Sequence, residues 1–373
     1  MKTWDVVIVG GGIIGVSVAL SLSKHGAEVL VVDKSEPGRE ASHAAAGMLA
    51  HCEQSLALRT LATASARLYP EFVHEIEDES GGRADYRRDG TIVFLTGEEE
   101  EPFCDGARRL DSAELAELEP KLGMPEAGAA WLPEASVDPR ALIAAVIKAA
   151  KHRGIQFASG APVTSVDTSN LGVSGVSTPK TRFPAAAVVN CAGAWAGEIS
   201  GPLSFPMRPV KGHMLDVIPG SLFAAHASAT APPAQPENPL LRHVVRAPGV
   251  YVAPRTDGRV MIGSTVEEAG FDKRVNPDTI QQLHQAAANV VPELGEAKIH
   301  EAWAGLRPCT PDNLPILGRT TVDGYYIAAG HFRDGILLAP ITAKLIAQVV
   351  RGEQPDIDLA SFSTNRFATE HRL

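Results

Sequence analysis

The sequence has no paired C-x-x-C motif. Its four cysteines, Cys52, Cys104, Cys191 and Cys309, lie far apart. That spacing gives no zinc ribbon and suits a chain kept in a reducing cytoplasm. Twelve histidines include no H-E-x-x-H or comparable cluster, so no metal ion is expected. Basic residues are outnumbered, and the net charge of −10 argues against a dedicated nucleic-acid binder. No apolar run is long enough for a membrane span. Residues 6–22 come nearest, but internal glycines and Asp5 ahead of them argue against a span or a leader peptide. No repeat period is visible.

What remains is ordinary globular material: 373 residues, 45% hydrophobic and 21% charged, with room for two domains. Its opening stretch is the most informative. Asp5-Val6-Val7-Ile8-Val9 reads as a buried parallel strand. Ile14, Val18 and Leu22 then recur at helical spacing, Gly26 ends the helix, and Glu28–Val32 forms a second strand ending on Asp33. Between strand and helix sits Gly10-Gly11-Gly12-Ile13-Ile14-Gly15, a G-x-G-x-x-G in the setting that makes it a dinucleotide site. Gly10 permits the turn, Gly12 admits a pyrophosphate, and Gly15 lets helix and strand approach. The helix N-terminus offers N–H groups to phosphate. Asp33, near the expected ~20 residues further on, can accept from a ribose hydroxyl and would repel a 2′-phosphate.

Further along, the small residues Ser42 to Met48 suit either a flat ligand against the backbone or a tightly packed helix start. Residues 56–79 predict an amphipathic helix and Thr91–Leu95 a strand; Glu98–Glu101 predicts a solvated acidic turn. Asp111 or Ser112, Asp138 with Pro139, and Asn276 mark helix starts. Strands are expected at 154–157, Pro162–Val166 and 185–191, the last running into Gly193. Val210–Val217, Tyr251–Pro254 and Val260–Thr265 predict antiparallel strands. Pro219 to Pro248, rich in Ala, Pro and Ser, reads as a lid or as a surface insertion. A last strand, Gly324–His331, leads into a helix from Asp334-Gly335 that Pro340 should distort.

Four segments occur in a fixed order: the opening dinucleotide motif, Ala44-Ala45-Ala46-Gly47-Met48-Leu49, Gly305-Leu306-Arg307-Pro308, and Gly330-His331-Phe332-Arg333-Asp334-Gly335-Ile336-Leu337. Together they resemble the flavin-dependent D-amino acid oxidase superfamily over nearly the whole chain, and most of all its glycine oxidases of thiamine biosynthesis. The resemblance implies an α/β fold: a Rossmann-like FAD-binding domain with a second substrate domain built on an antiparallel sheet. Residues 1–79, 138–206 and 305–373 would form the first, and 80–137 with 207–304 the second. It also implies non-covalent FAD. Gly10, Gly12, Ile13, Ile14, Gly15, Asp33 and Lys34 would hold its ADP half. Ser42, Ala46, Gly47 and Met48 would line the flavin, with Val163 and Gly193 nearer the adenosine. His331, Arg333, Asp334, Gly335, Ile336 and Leu337 would close over the ring. Relatives with a cysteinyl flavin carry that cysteine where this chain has Gly305, so no tether is expected.

For substrate, the resemblance points to Arg307, whose paired N–H donors match a carboxylate. Arg333 would add a second charge and Tyr251 a hydroxyl donor. The implied reaction is hydride loss from glycine, sarcosine or a small D-amino acid to give an imine, with oxygen reduced to hydrogen peroxide. No acid or base residue is nominated, because orientation alone supplies much of the rate. A D-amino acid dehydrogenase with another electron acceptor is the alternative. A non-catalytic nucleotide binder and an NAD-dependent dehydrogenase rank lower, and self-association is left open.

Overall fold

The computed structural model describes residues 2–97, 104–170, 172–219 and 239–367. The expected acidic turn at 98–101 and most of the Ala/Pro-rich segment, 220–238, lie outside them. The chain forms two eight-stranded sheets.

The first sheet grows from the opening motif. Trp4–Val9 pairs in parallel with Val29–Val32 on one side and Arg182–Asn190 on the other. Gln156–Ala158 extends one edge, and Tyr325–Ala329 with its antiparallel partner Ile316–Arg319 extends the other. The hairpin Ser165–Ser169/Gly172–Ser177 hangs from Arg182–Asn190. It starts at Ser165, leaving Pro162 and Val163 free to border a cavity. Val6, Ile8 and Val31 are fully or nearly buried against Val16, Leu142 and Leu345. These come from the helices Ile13–Ser23, Pro139–His152 and Gly335–Val350. Strands covered on both faces need continuous apolar runs, which explains the unbroken Val/Ile stretches.

Local chemistry starts the helices as expected. Asp111 forms a full capping box with Glu114, Asp138 accepts from the N–H groups of Arg140 and Ala141, and Asn276 accepts from that of Asp278. Each such cap contributes about 1 kcal/mol. Leu56–Ser80 runs through Pro70 and stops at Gly81 in the left-handed conformation.

The second sheet has the order Lys298–Cys309, Arg208–Ile218, Val260–Gly263, Val250–Pro254, Val244–Ala247, Thr91–Phe94, Ala129–Leu132 and Arg108–Leu110. All its pairs are antiparallel except Val244–Ala247 with Thr91–Phe94. Alternation along Arg208–Ile218 sends Leu215 and Val217 into a core under the helix Pro277–Val290. Met214 faces the other way, with Ala253, Met261 and Trp303. That second face looks toward the first sheet.

Three expectations change. Lys298–Cys309 is one strand of the second sheet, so it passes the boundary drawn at 305. We propose the same discontinuous two-domain division with that limit moved beyond Cys309. Val244–Ala247, read as part of an insertion, is an interior strand. Cys52 and Cys104 form a disulfide, and only Cys191 and Cys309 are free thiols among the described residues. Disulfides persist in oxidising surroundings, so the cysteines no longer support a cytoplasmic setting. What stands is that no helix among the described residues is long and apolar enough to cross a membrane.

Candidate active site

A cavity of about 830 Å³ runs between the two sheets, from the opening glycine turn to the Arg307 side chain. At its first end the chain crosses from Val9 into the helix through Gly10 (φ 106). Gly15 is forced by space: a Cβ there would stand 2.0 Å from the Gly10 oxygen and 3.1 Å from Ile8 Cγ2. The helix start has Gly12 as N-cap, with no side-chain cap and no acidic residue in its first turn. Asp33, at the end of the second strand, accepts from the Gly11 N–H at 2.7 Å and the Ser35 N–H at 2.8 Å. Ser42 Oγ accepts from the Ile13 N–H at 2.9 Å. At the rim the Lys34 ammonium sits 3.0 Å from the Trp195 ring centroid and 3.0 Å from Glu40.

The small-residue segment after Ser42 is both things its sequence allowed. Ala41–Ala44 is a short helix turn, and Ala44 to Met48 then lies along the cavity wall. Its carbonyls are held by donors from the second sheet's side and from the helix Pro139–His152. Trp303 Nε1 donates to Ala44 O at 3.2 Å, Arg140 Nε to His43 O at 3.4 Å, and Arg255 Nη2 to Ala46 O. Arg140 also lies over the Trp303 ring, 4.3 Å from its centroid, and pairs with Glu301 at 2.6 Å.

At the far end stand Arg307, Tyr251 and Arg333. Arg307 projects from Lys298–Cys309 across the neighbouring strand, where glycine at 212 leaves room for it. Its Nη1 donates to Thr265 O at 2.9 Å and its Nη2 to Ser264 Oγ at 2.7 Å. It pairs with no carboxylate among the described residues. Burial, with Arg333 adding to it, holds the guanidinium below its usual pKa. Tyr251 lies opposite Gly263, and its hydroxyl points to the Met214 sulfur at 3.5 Å, a weak acceptor. Burial pushes the phenol up, although Ser264, Arg307 and Arg333 pull the other way. Arg333 follows Phe332, which has φ 47 and donates its N–H to Pro308 O at 2.8 Å. That strained turn aims Arg333 along the cavity wall.

The sequence profile of the family described as DAO, FAD dependent oxidoreductase, matches residues 5–349. The chain belongs to this family. Among curated relatives, the bifunctional protein ThiO/ThiG of Trichormus variabilis is 36% identical over 377 residues, covering 98% of this chain and 55% of that protein. The chain thus spans about half the length of the first relatives it matches. The hydrogen cyanide synthase subunit HcnC of Pseudomonas aeruginosa is 32% identical, covering 99% of this chain and 97% of that one. The crystal structure of glycine oxidase from Geobacillus kaustophilus superposes with a TM-score of 0.86 at 33% identity, covering 98% and 99% of the two chains.

In this family member most residues singled out from the sequence border this cavity. They are Gly10, Gly12, Ile13, Ile14, Asp33 and Lys34 at one end, Ser42, Ala46, Gly47 and Met48 along the side, and Val163 and Gly193 opposite. His331, Arg333, Asp334, Gly335 and Ile336 border it from the turn before the last helix and the helix's first residues. Two stand back from it. Gly15 acts behind the turn, and Leu337, the next residue along the helix after Ile336, faces the hydrophobic core. His331 is fully enclosed, bonds through Nε2 to Thr342 Oγ1 at 3.1 Å, and is pushed down to about 3. It stays neutral and is no general base near neutrality.

Sequence reasoning passed over Gly212, Ser264, Thr265 and Gln54. Gln54 Nε2 donates to Asp334 Oδ1 at 2.9 Å beside the cavity. None belongs to a motif; each is defined by a partner distant in sequence. Two groups of His, Cys, Asp and Glu come close together but read as structural. In His51–Cys52–Cys104 the sulfurs are bonded to each other. In Asp216–His300–Glu301 the acids already pair with Arg259 and Arg140.

Proposed function

We propose that the chain is an FAD-dependent amine oxidase acting on glycine, sarcosine or a small D-amino acid. It converts the amine to an imine, which water hydrolyses to the 2-oxo acid, and it passes the electrons to oxygen to give hydrogen peroxide. A role in supplying glycine-derived imine for thiamine biosynthesis goes with this reading, in keeping with the ThiO/ThiG likeness.

The residues present fit FAD. The opening turn offers a helix start whose N-cap is glycine, with no acidic residue in its first turn, and it borders the cavity through Gly10 and Gly12. Asp33 stands at the strand end where a ribose hydroxyl would be bound. The carbonyls at 43, 44 and 46 are engaged elsewhere, and Ala44 to Gly47 bring only small side chains to the cavity wall. We assign the ADP half to Gly10, Gly12, Asp33 and Lys34, and the ring to Ala46, Gly47, Met48 and the start of the last helix. Attachment is non-covalent, since glycine stands at 305. Bound FAD supplies the acceptor for two electrons and the α-hydrogen.

The chain's own contribution is placement. The observation that carries the reading is Arg307: a guanidinium in a largely buried site, facing the cavity, with neutral oxygens as its only hydrogen-bond partners among the described residues. A buried cation without a counter-ion is costly, and a substrate carboxylate supplies the missing charge with paired hydrogen bonds. Among the described residues the Tyr251 hydroxyl donates to the Met214 thioether, a weak acceptor, and can turn to the same carboxylate. Arg333, which also borders the cavity, adds positive potential near Arg307. Anchored by its carboxylate, the amino acid presents Cα to the middle of the cavity, which makes the transfer effectively unimolecular. With His331 too weak a base to take up the ammonium proton, the amine reacts in its uncharged form.

The test is a panel of glycine, sarcosine, D-alanine and D-proline under air, following peroxide and the flavin spectrum. Peroxide formed in step with amine consumption supports the oxidase. Flavin bleaching by amine without peroxide would make the chain a dehydrogenase, and no bleaching by any amine would end the proposal.

A further inference from the structure

Arg307 is held in place by a strap, residues 264–276, which links the strand Val260–Gly263 to the helix Pro277–Val290. The strap supplies Ser264 Oγ and Thr265 O to the guanidinium. Behind these contacts, away from the cavity, lies a second layer. Lys211 and Glu267 exchange two backbone hydrogen bonds of 2.9 Å. The Lys211 ammonium donates to Arg274 O at 2.6 Å. His213 is wholly buried. Its backbone N–H donates to Thr265 Oγ1 at 2.9 Å, and its Nδ1 lies 2.7 Å from Glu267 Oε1.

The tautomer of His213 follows from its partners. The Asn276 N–H donates to Nε2 at 3.0 Å, so that nitrogen carries no proton, and Nδ1–H donates to Glu267. Thr265 Oγ1, in turn, donates to the same Glu267 oxygen at 2.5 Å. Both ends of the strap, Thr265/Glu267 and Arg274/Asn276, are thus tied to two residues of one strand, Lys211 and His213. Gly212, between them, is the residue over which the guanidinium lies. The strap's far side reaches the first domain: Phe271 stacks on Trp195 at 5.3 Å, and Lys273 pairs with Glu40 at 2.9 Å.

We propose that His213, Glu267 and Thr265 form a positioning set that holds the Arg307 guanidinium in its carboxylate-binding direction. None of them lines the cavity, so they act through Arg307 and not on the substrate. A strap that only stapled the domain together would not need Thr265 in a three-way bond. Here the residue whose carbonyl receives Arg307 Nη1 also has its hydroxyl locked between the His213 backbone N–H and the Glu267 carboxylate. This inference rests on the reading of Arg307 as the carboxylate anchor.

The test is a double-mutant cycle on the FAD-loaded enzyme, with glycolate as a carboxylate probe whose binding is read from the flavin absorbance. Glu267→Ala is expected to weaken glycolate on the order of tenfold, as a misdirected anchor does. Glu267→Gln, which keeps the acceptor oxygen, is expected to restore most of it. In an Arg307→Ala background, Glu267→Ala should have no further effect, and FAD affinity should stay unchanged throughout. Thr265→Val gives a second, independent limb of the same cycle should Glu267→Ala fold poorly. Additive losses in the two backgrounds, or glycolate binding unaffected by both strap variants, would overturn the positioning role. Arg307→Ala binding glycolate as well as the parent would instead overturn the anchor itself, a separate outcome.

Discussion

The Arg307 guanidinium lies directly over Gly212: a Cβ built at 212 would stand 2.4 Å from both Nη1 and Nη2. The atoms in its way are the tip of a flexible side chain, so the strand need not move. Gly212→Ala is therefore expected to keep the fold, within about 1 kcal/mol, while turning the guanidinium aside. KM for glycine should rise roughly ten- to hundredfold with a smaller change in kcat. Thermal melts and steady-state kinetics read the two effects separately. An unchanged KM would mean that Arg307 does not hold the substrate.

Removing the guanidinium should act on the same quantity. Arg307→Ala forfeits charge-assisted hydrogen bonds worth about 2–3 kcal/mol, or roughly 30- to 160-fold in KM for carboxylate-bearing amines. Since the side chain has no acidic partner to strand, the melting temperature should hold or rise. Parent-like kinetics would remove Arg307 from the site.

Gly15 should be far less tolerant. The atoms a Cβ would meet there are the Gly10 carbonyl and the Ile8 side chain, both fixed by the sheet. Gly15→Ala is expected to cost on the order of 2–3 kcal/mol and to push the helix off the turn to which we assign the phosphates. FAD affinity, measured by flavin fluorescence, should fall at least tenfold. Gly26→Ala is the comparison, since nothing lies within 4 Å of the added methyl and only its φ of 83 resists. Equal FAD affinity in the two variants would contradict the packing argument.

Asp334 gives a pH dependence. Burial raises its carboxyl from 3.8 to about 6, although Gln54 and Arg333 oppose the shift. The folded protein thus holds this proton more tightly than the unfolded chain does. Stability from this group is present at low pH and is lost as pH rises from about 4 to about 6. Partial access to the cavity reduces the effect to about 1–2 kcal/mol. Asp334→Asn should melt higher than the parent at pH 7.5 and equal to it at pH 4. A difference independent of pH would assign the effect to something other than this proton.

The Cys52–Cys104 bond spans a sequence separation of 52. By loop-closure entropy such a link stabilises by up to about 4 kcal/mol. Dithiothreitol should lower the melting temperature of the parent and leave Cys104→Ser unaffected. Equal response to dithiothreitol in both would show that the pair is not bonded in solution.

Legibility along this chain follows the range of the interactions involved. The strand, turn, helix and strand of residues 4–32 could be read because apolar periodicity, glycine placement and the acid at 33 all act within one βαβ unit. The caps Asp138 and Asn276 could be read because a cap bonds its own next turn. Arg307 drew notice only through its family setting. Its chemistry depends on Thr265 and Ser264, which no periodicity links to it. The short strands Arg108–Leu110 and Ala129–Leu132 escaped because three or four residues carry too little pattern, and their partners decide their state.

By itself, the sequence determined the dinucleotide turn, the helices and their caps, and the apolar runs of the buried strands, since each depends on neighbours a few residues away. The tertiary structure alone decided that Gly212 would lie under Arg307, that one strap would brace the guanidinium and touch the other domain, and that Cys52 would meet Cys104. Those outcomes depend on strand register and on the closure of long loops, whose energies exist only once distant segments have packed.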